Sequence, residues 1–340
     1  MQNPRTMDPT LSPPANPHVT GITRDVLVDV EDQARSLAGW GQRYQQLSGG
    51  HFRGSMLGCS VDGLQFFVES LNQSTHQTGP GPAGAIALAF PLVCEGAGRV
   101  FGQTYDRDTL VALGPRQASD FRSPATLQLA GIAIEADELL RYAAWSDREA
   151  AVTAAVSRAV LSLAPASSAR LRRRLHAAAR LVAGEPAALQ REVVQTLRHT
   201  LLSAFVEAVD LISAASAAPA LRPLPTTSRS RHRIVREAVE FMRASVDQPL
   251  GMVDVCAAVR VQARVLQYGF NEAFGVTPMA FLRGLRLHGI RRELRASTEE
   301  PIGDIAARWG LWHLSRLAAD YRALFGELPS ATRRRRASSR

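Results

Sequence analysis

The last third of the chain repeats itself. Met252, Val255, Cys256 and Val259 recur at i, i+3, i+4 and i+7, and Ile302, Ile305, Ala306 and Trp309 repeat that spacing fifty residues later. Such spacing marks one buried face of a short helix. In each copy a tight turn and a second helix follow. The second helix is apolar at Leu266, Phe270 and Phe274 in the first copy, and at Leu314, Leu317, Ala318, Tyr321 and Leu324 in the second. Its outer face carries Arg264, Gln267, Tyr268 and Asn271 in one case, and Ser315, Arg316, Ala319 and Arg322 in the other. Two helices across a tight turn, the second with an exposed polar edge, form a helix-turn-helix.

One continuous segment, Pro278 to Arg295, joins the copies. Thr277 can cap it and Pro278 suits a first helical position. Phe281, Leu282, Leu285 and Gly289 form one apolar face, and Leu287, Ile290 and Leu294 form another on roughly the opposite side. A rod that docks one unit at its front and another at its back needs that offset. At 1.5 Å per residue it is about 27 Å long, close to the ~34 Å turn of a DNA duplex. The spacing lets a single chain reach two successive major grooves.

The strings GVTPMAFLRGLRLHGIRREL and IGDIAARWGLWHLSRLAADYRALFGELPS resemble the DNA-binding domain of the AraC/XylS family of bacterial transcription regulators. Gly275, Thr277, Pro278, Arg286, Leu287 and Leu294 carry the first part of the match. Asp304, Ile305, Ala306, Gly310, Phe325, Gly326, Pro329 and Ser330 carry the second. The resemblance implies base contacts from Arg264, Gln267, Tyr268 and Asn271 in the first unit, and from His313, Ser315 and Arg316 in the second. It also implies duplex DNA and RNA polymerase as partners. Tyr268 is open between base contact and packing. Trp312 is read as bracing the turn rather than stacking on a base, with His313 capping the reading helix. The first unit departs from the family pattern: Arg260 stands where the turn has glycine, Gln262 where the reading helix has a serine cap, and Gly251 where the preceding helix has Ser or Thr. A side chain at positive φ is strained, and a lost cap costs about 1 kcal/mol.

Charge follows the same division. Residues 231–340 hold 19 arginines against 11 acidic side chains, whereas residues 1–230 hold 21 against 20. The excess positive charge therefore lies where phosphate neutralisation requires it. Cys59, Cys94 and Cys256 lie far apart without metal-ligand spacing and read as reduced thiols. The longest apolar run, Ala83 to Cys94, is too short to span a bilayer. With no signal peptide at its start, the chain is expected in the cytoplasm, without a membrane partner.

From Phe52 to Ile134 the pattern changes to short extended runs between turns. Ser55–Ser60 and Leu64–Leu71 flank a hairpin turn at Val61-Asp62-Gly63. Ala85–Phe90, Gly98–Tyr105, Thr109–Leu113 and Thr126–Ile134 follow at about ten-residue spacing, which suggests a small barrel or sandwich. This order resembles the cupin-like sensor half of some AraC/XylS regulators and implies a small-molecule effector. A metal-dependent cupin enzyme is the alternative. Such enzymes need converging histidines and a carboxylate, whereas His51 and His76 stand alone. No catalytic motif, metal site or cofactor site is expected. Arg99, Asp106, Arg107, Arg116 and Asp120 read either as a polar pocket or as exposed loop charge.

The expected class is α+β: a β-rich cupin-like barrel with helices, followed by an all-α domain of two helix-turn-helix units joined by a long helix. Residues 1–20 read as a disordered tail, 21–212 as the sensor and dimerisation domain, and 213–230 as a Pro/Ala/Ser-rich linker. Residues 231–332 form the double helix-turn-helix, and 333–340 a disordered basic tail able to add phosphate contacts. The apolar stripe of Val194, Leu197, Leu201, Phe205, Ala208 and Ile212, within residues 189–212, either packs on its own barrel or pairs two subunits in a homodimer.

Overall fold

The computed structural model describes residues 19–184, 191–215, 226–296 and 299–337. Its strands are β1 (Val19–Leu27), β2 (Arg43–Gln46), β3 (Gly54–Val61), β4 (Leu64–Leu71), β5 (Thr75–Pro80), β6 (Ala85–Glu95), β7 (Gly98–Val100), β8 (Gln103–Tyr105), β9 (Thr109–Leu113), β10 (Ala118–Arg122), β11 (Thr126–Glu135) and β12 (Val160–Ser162). Helix α1 (Val30–Ser36) lies among the strands, and α2 (Ala136–Ala144), α3 (Glu149–Arg158), α4 (Pro165–Ala183) and α5 (Arg191–Ala215) follow them. The C-terminal domain is α6 (Thr226–Ala244), α7 (Met252–Val259), α8 (Ala263–Phe274), α9 (Pro278–Ala296), α10 (Ile302–Arg308), α11 (Leu314–Phe325) and α12 (Pro329–Ala337).

The strands form two antiparallel sheets, ordered β1-β3-β4-β11-β6-β9-β12 and β2-β5-β10-β7-β8. The expected barrel does not close, because β1 and β12 end one sheet while β2 and β8 end the other. The β3–β4 hairpin turns at Asp62 (φ 45°) and Gly63 (φ 78°), the two positive φ values that a two-residue turn of matching twist needs. In β6 the register with β11 shifts beside Pro91. A proline lacks the N–H that a ladder uses, and a bulge accommodates it.

Alternation along the strands sorts side chains into two cores. Phe66, Leu88, Phe90, Ile132 and Ile134 pack under α2 to α5, while Tyr44, Val100, Tyr105, Phe121, Leu127 and Leu129 fill the space between the sheets. Val194, Leu197, Leu201, Phe205 and Ala208 of α5 are all buried in the first of these cores. Up to Ala208, the stripe that a partner subunit would use is thus spent inside its own domain; the side chain of Ile212 lies outside the described residues. Of the expected linker, the described ends are helical, within α5 and α6, and 216–225 lie outside the described residues. The expected disordered segment 1–20 lies outside them too, apart from the start of β1.

Two smaller cores organise the C-terminal domain. Val235, Ala238, Val239 and Met242 of α6 pack with Val255, Leu266, Phe270, Phe274, Phe281 and Leu282 around the first unit. Leu287, Ile290, Leu294, Ile305, Leu317, Tyr321 and Phe325 form the second. The connecting helix α9 supplies both, as its two apolar faces predict. Gly289 belongs to the second core, not the first, because a Cβ there would meet the Trp309 ring at 2.2 Å. The basic tail is a further correction. Residues to Ala337 form α12, where Thr332 is buried, Arg333 donates to the Glu300 carbonyl oxygen at 2.6 Å and Arg335 pairs with Glu327. These two cations fasten the last helix down rather than trailing free.

Candidate nucleic-acid interface

Every residue read from sequence as a base contact is exposed. Arg264, Gln267, Tyr268 and Asn271 share one face of α8, at i, i+3, i+4 and i+7, opposite the buried Leu266, Phe270 and Phe274. His313, Ser315 and Arg316 stand at the amino end of α11. Between the two, α9 is unbroken over 19 residues, about 28 Å of helix. It starts as expected, with the Ala280 N–H donating to the Thr277 hydroxyl at 3.3 Å.

The turns differ between units. Gly310 takes φ +69° in the second, and Arg260 occupies the same left-handed region in the first at φ 55°, ψ 44°. Gln262 heads α8 without a side-chain cap, and Gly251 heads α7, where the Asp254 carboxylate accepts from its N–H at 2.8 Å. Gly275 and Gly326 end α8 and α11 at φ +72° and +75°, as the shared glycines require.

Three expectations fail around α11. Trp312 does not brace the turn; it is 68% exposed, and Trp309 does the bracing instead. The Trp309 ring covers Gly289, and its Nε1–H donates to Glu293 Oε1 at 2.7 Å. His313 occupies the cap position but makes no side-chain cap hydrogen bond. Leu314, expected inside, is 51% exposed and lies outside the core that Leu317, Tyr321 and Phe325 join. Tyr268 is 59% exposed with the Arg231 guanidinium 5.0 Å over its ring, so it packs under a cation at the surface.

The N-terminal domain holds both units from behind. Arg291 of α9 is buried and donates to Asp29 at 2.6 Å and to Glu327 at 2.8 Å, with its guanidinium 4.6 Å over Phe325. Arg295 reaches Asp29 at 2.8 Å and Asp32 at 2.6 Å, and Arg292 reaches Glu31 at 3.1 Å. Burial alone would raise the Asp29 carboxyl, but Arg291 and Arg295 outweigh it and hold the group below its ordinary value. His288 Nε2 accepts from the Gln46 N–H at 3.0 Å, and burial drives this imidazole down to about 4.

The Gln46 side-chain amide and the Gly50 N–H both donate to the Leu324 carbonyl oxygen of α11, at 2.7 and 3.1 Å. These bonds tie α11 of the second unit to the end of β2 and the loop after it. In the first unit His76 of β5 lies against the Phe274 and Phe281 rings, and its Nε2 meets Asp120 at 2.9 Å. Neither α6 nor the acids of α1 was singled out in the sequence. The repeat of Val235, Ala238, Val239 and Met242 was the available signal for α6.

Residues 255–335 match the family model described as a helix-turn-helix domain. The probable thc operon regulatory protein of Rhodococcus erythropolis is 41% identical over 99 residues, 28% of this chain and 30% of that protein. The XylDLEGF operon transcriptional activator 2 of Pseudomonas putida is 32% identical over 96 residues, 28% of this chain and 61% of that one. The crystal structure of a probable AraC family transcriptional regulator from Rhodopseudomonas palustris matches at 30% identity, over 31% of this chain and 97% of that one, with a TM-score of 0.29. Residues 255–335 are an AraC/XylS-type helix-turn-helix domain. The matched stretch spans about a third of the length of the first curated relatives, at 30% and 32%. Residues 255–335 hold α8, α9 and α11. Among the described residues no helix is long and apolar enough to cross a membrane.

Proposed function

We propose that the chain is a sequence-specific DNA-binding transcription regulator whose N-terminal domain answers to a small-molecule effector. One observation carries the reading: α8 and α11, each with an exposed polar face, flank an unbroken α9 of 19 residues, a rod of about 28 Å against a duplex turn of about 34 Å. Arg264 and Arg316 are the specificity residues, since arginine donates two bonds to a guanine edge, worth about 1–3 kcal/mol against the wrong base. Gln267, Tyr268, Asn271, His313 and Ser315 complete the two faces. The family supports RNA polymerase as the protein partner and the cytoplasm as the place of action. The relatives favour this reading over the metal-dependent enzyme.

Selection of duplexes from a random library by the full chain, at fixed salt, tests it. Two short conserved blocks about one helical turn apart are expected. Arg316→Ala should relax the preference at one base pair of one block, and Arg264→Ala at one base pair of the other. Equal loss of affinity for selected and random duplexes in both variants would remove these arginines from base reading.

A further inference from the structure

A cleft of about 470 Å³ opens between the five-stranded sheet and the first helix-turn-helix unit. Strands β5 and β10 form one wall and α6 the other, with the end of α8 closing it. Its size falls in the range of small-ligand sites. Of the loop charges that the sequence suggested as a polar pocket, Arg99, Arg116 and Asp120 meet here. Asp106 instead accepts from Thr109 and from the Asp108 N–H within its own loop, and Arg107 does not line the cleft.

The cations in this cleft outnumber their counter-ions. Arg99, Arg122 and Arg243 are half-buried along it, while Arg116 and Arg236 stand exposed at its rim. Asp120 and Glu240 are its acids, and both are engaged. Asp120 meets His76 at 2.9 Å and His232 at 3.3 Å, and Glu240 meets Arg236 at 3.8 Å. Arg99 has Glu272 at 3.7 Å. Arg243 donates to the Thr78 hydroxyl at 3.0 Å and has no ion pair among the described residues.

Arg122 is the sharpest case. Its Nε is buried without a hydrogen-bond partner, as is Nδ1 of His76 nearby. Its guanidinium lies beside Gly275, so it already spans the two domains. Burial and the neighbouring Arg99 charge both work against its proton. A half-buried cation with an unmet donor is costly unless an anion answers it. Around these charges the walls are apolar: Phe101, Val235, Val239 and Phe274.

We propose that this cleft binds a small organic anion, a carboxylate or phosphate monoester on an apolar body, clamped by Arg122 of the sensor and Arg243 of α6. Arginine suits either group because its planar fork donates two parallel bonds. The inference deepens the regulator reading and rests on it for its consequence. The anion is complete in its contacts only while the two domains are docked, so binding favours the docked pose.

The test uses the full chain and four probes: phenyl phosphate, phenylacetate, neutral phenylacetamide and inorganic phosphate. Calorimetric titration at low salt should show one-to-one binding of phenyl phosphate or phenylacetate, at about 1 mM or tighter, and none of the amide. Arg122→Gln and Arg243→Gln should each weaken it at least tenfold, while Arg122→Lys, which keeps charge without the fork, falls between. Without probe, both Gln variants should melt at or above the parent temperature, which separates a lost site from a lost fold. Binding of neither anion, equal binding of the amide, or unchanged affinity in both Gln variants overturns the proposal. Inorganic phosphate binding as tightly as phenyl phosphate would mean an adventitious ion only and overturns it equally. Duplex selection is run alongside. A chain that prefers certain duplexes but binds no anion loses this inference alone. One that binds the anion without duplex preference keeps the site and loses the regulator reading.

Discussion

Removing the Asp29 charge should separate a buried domain clamp from its exposed neighbours. Asp29 is 3% exposed and serves Arg291 at 2.6 Å, Arg295 at 2.8 Å and the Glu31 N–H at 2.9 Å. In Asp29→Asn the cap survives through the amide oxygen, but Arg291 keeps only Glu327 as a buried counter-charge. Breaking one partner of a buried pair costs about 3–5 kcal/mol. Because Glu327 remains, the lower end, about 3 kcal/mol, is expected. Glu31→Gln is the internal control. It breaks a similar pair, Arg292 with Glu31 at 3.1 Å, whose arginine is 62% exposed, and such surface pairs are worth under about 1 kcal/mol.

Urea unfolding of the full chain at pH 7 reads both. Urea leaves charges unscreened, and its slope of roughly 1–3 kcal/mol per molar turns the Asp29→Asn loss into a midpoint shift of about 1 M or more. Trp40 and Trp309 report the two domains, and their transitions should separate in Asp29→Asn while staying together in Glu31→Gln. If Asp29→Asn costs no more than Glu31→Gln, the buried cluster does not hold the domains together.

His288 should make stability fall in mild acid. Its folded value near 4 lies below the ordinary 6.5, so the unfolded chain takes a proton first as pH drops. About 3 kcal/mol is lost between pH 6.5 and 4, and His288→Gln should flatten that part of a stability-against-pH curve. Glu69 acts in the opposite sense. Burial pushes its carboxyl up to about 7, against hydrogen bonds from Tyr44, Gln33 and Gln77 that oppose the rise. Its contribution is present below pH 4.5 and lost as pH rises through 7, again by about 3 kcal/mol, a loss Glu69→Gln should abolish in the same measurement. Arg260→Gly should raise stability by about 0.5–1 kcal/mol, since glycine takes φ 55° without the side-chain cost. An unchanged or lower urea midpoint would refute that strain.

The helix-turn-helix pair was legible because its residues obey a single period and end on glycines that the backbone requires. Gly275, Gly310 and Gly326 all take positive φ. The N-terminal domain was half legible. Strands β3, β4, β9 and β11 face cores on both sides or alternate cleanly, so their apolar runs announce them. Strands β2, β5 and β10 read Arg-Tyr-Gln-Gln, Thr-His-Gln-Thr-Gly-Pro and Ala-Ser-Asp-Phe-Arg. They carry polar side chains because one face meets the second domain through His76, Asp120, Gln45 and Gln46, and no periodicity of apolar residues marks such a surface. Trp312 and Trp309 show the same limit at the site. Both fit a bracing role by sequence distance, and only the close approach at Gly289 decides between them.

The acids on α1 and the arginines on α9 are separated by some 260 positions, yet they form one joint. Here a chimera cut at residues 216–225 would inherit one half of a matched lock from each parent. Grafting a foreign C-terminal domain onto this N-terminal one should therefore succeed only if Arg291 and Arg295 travel with it.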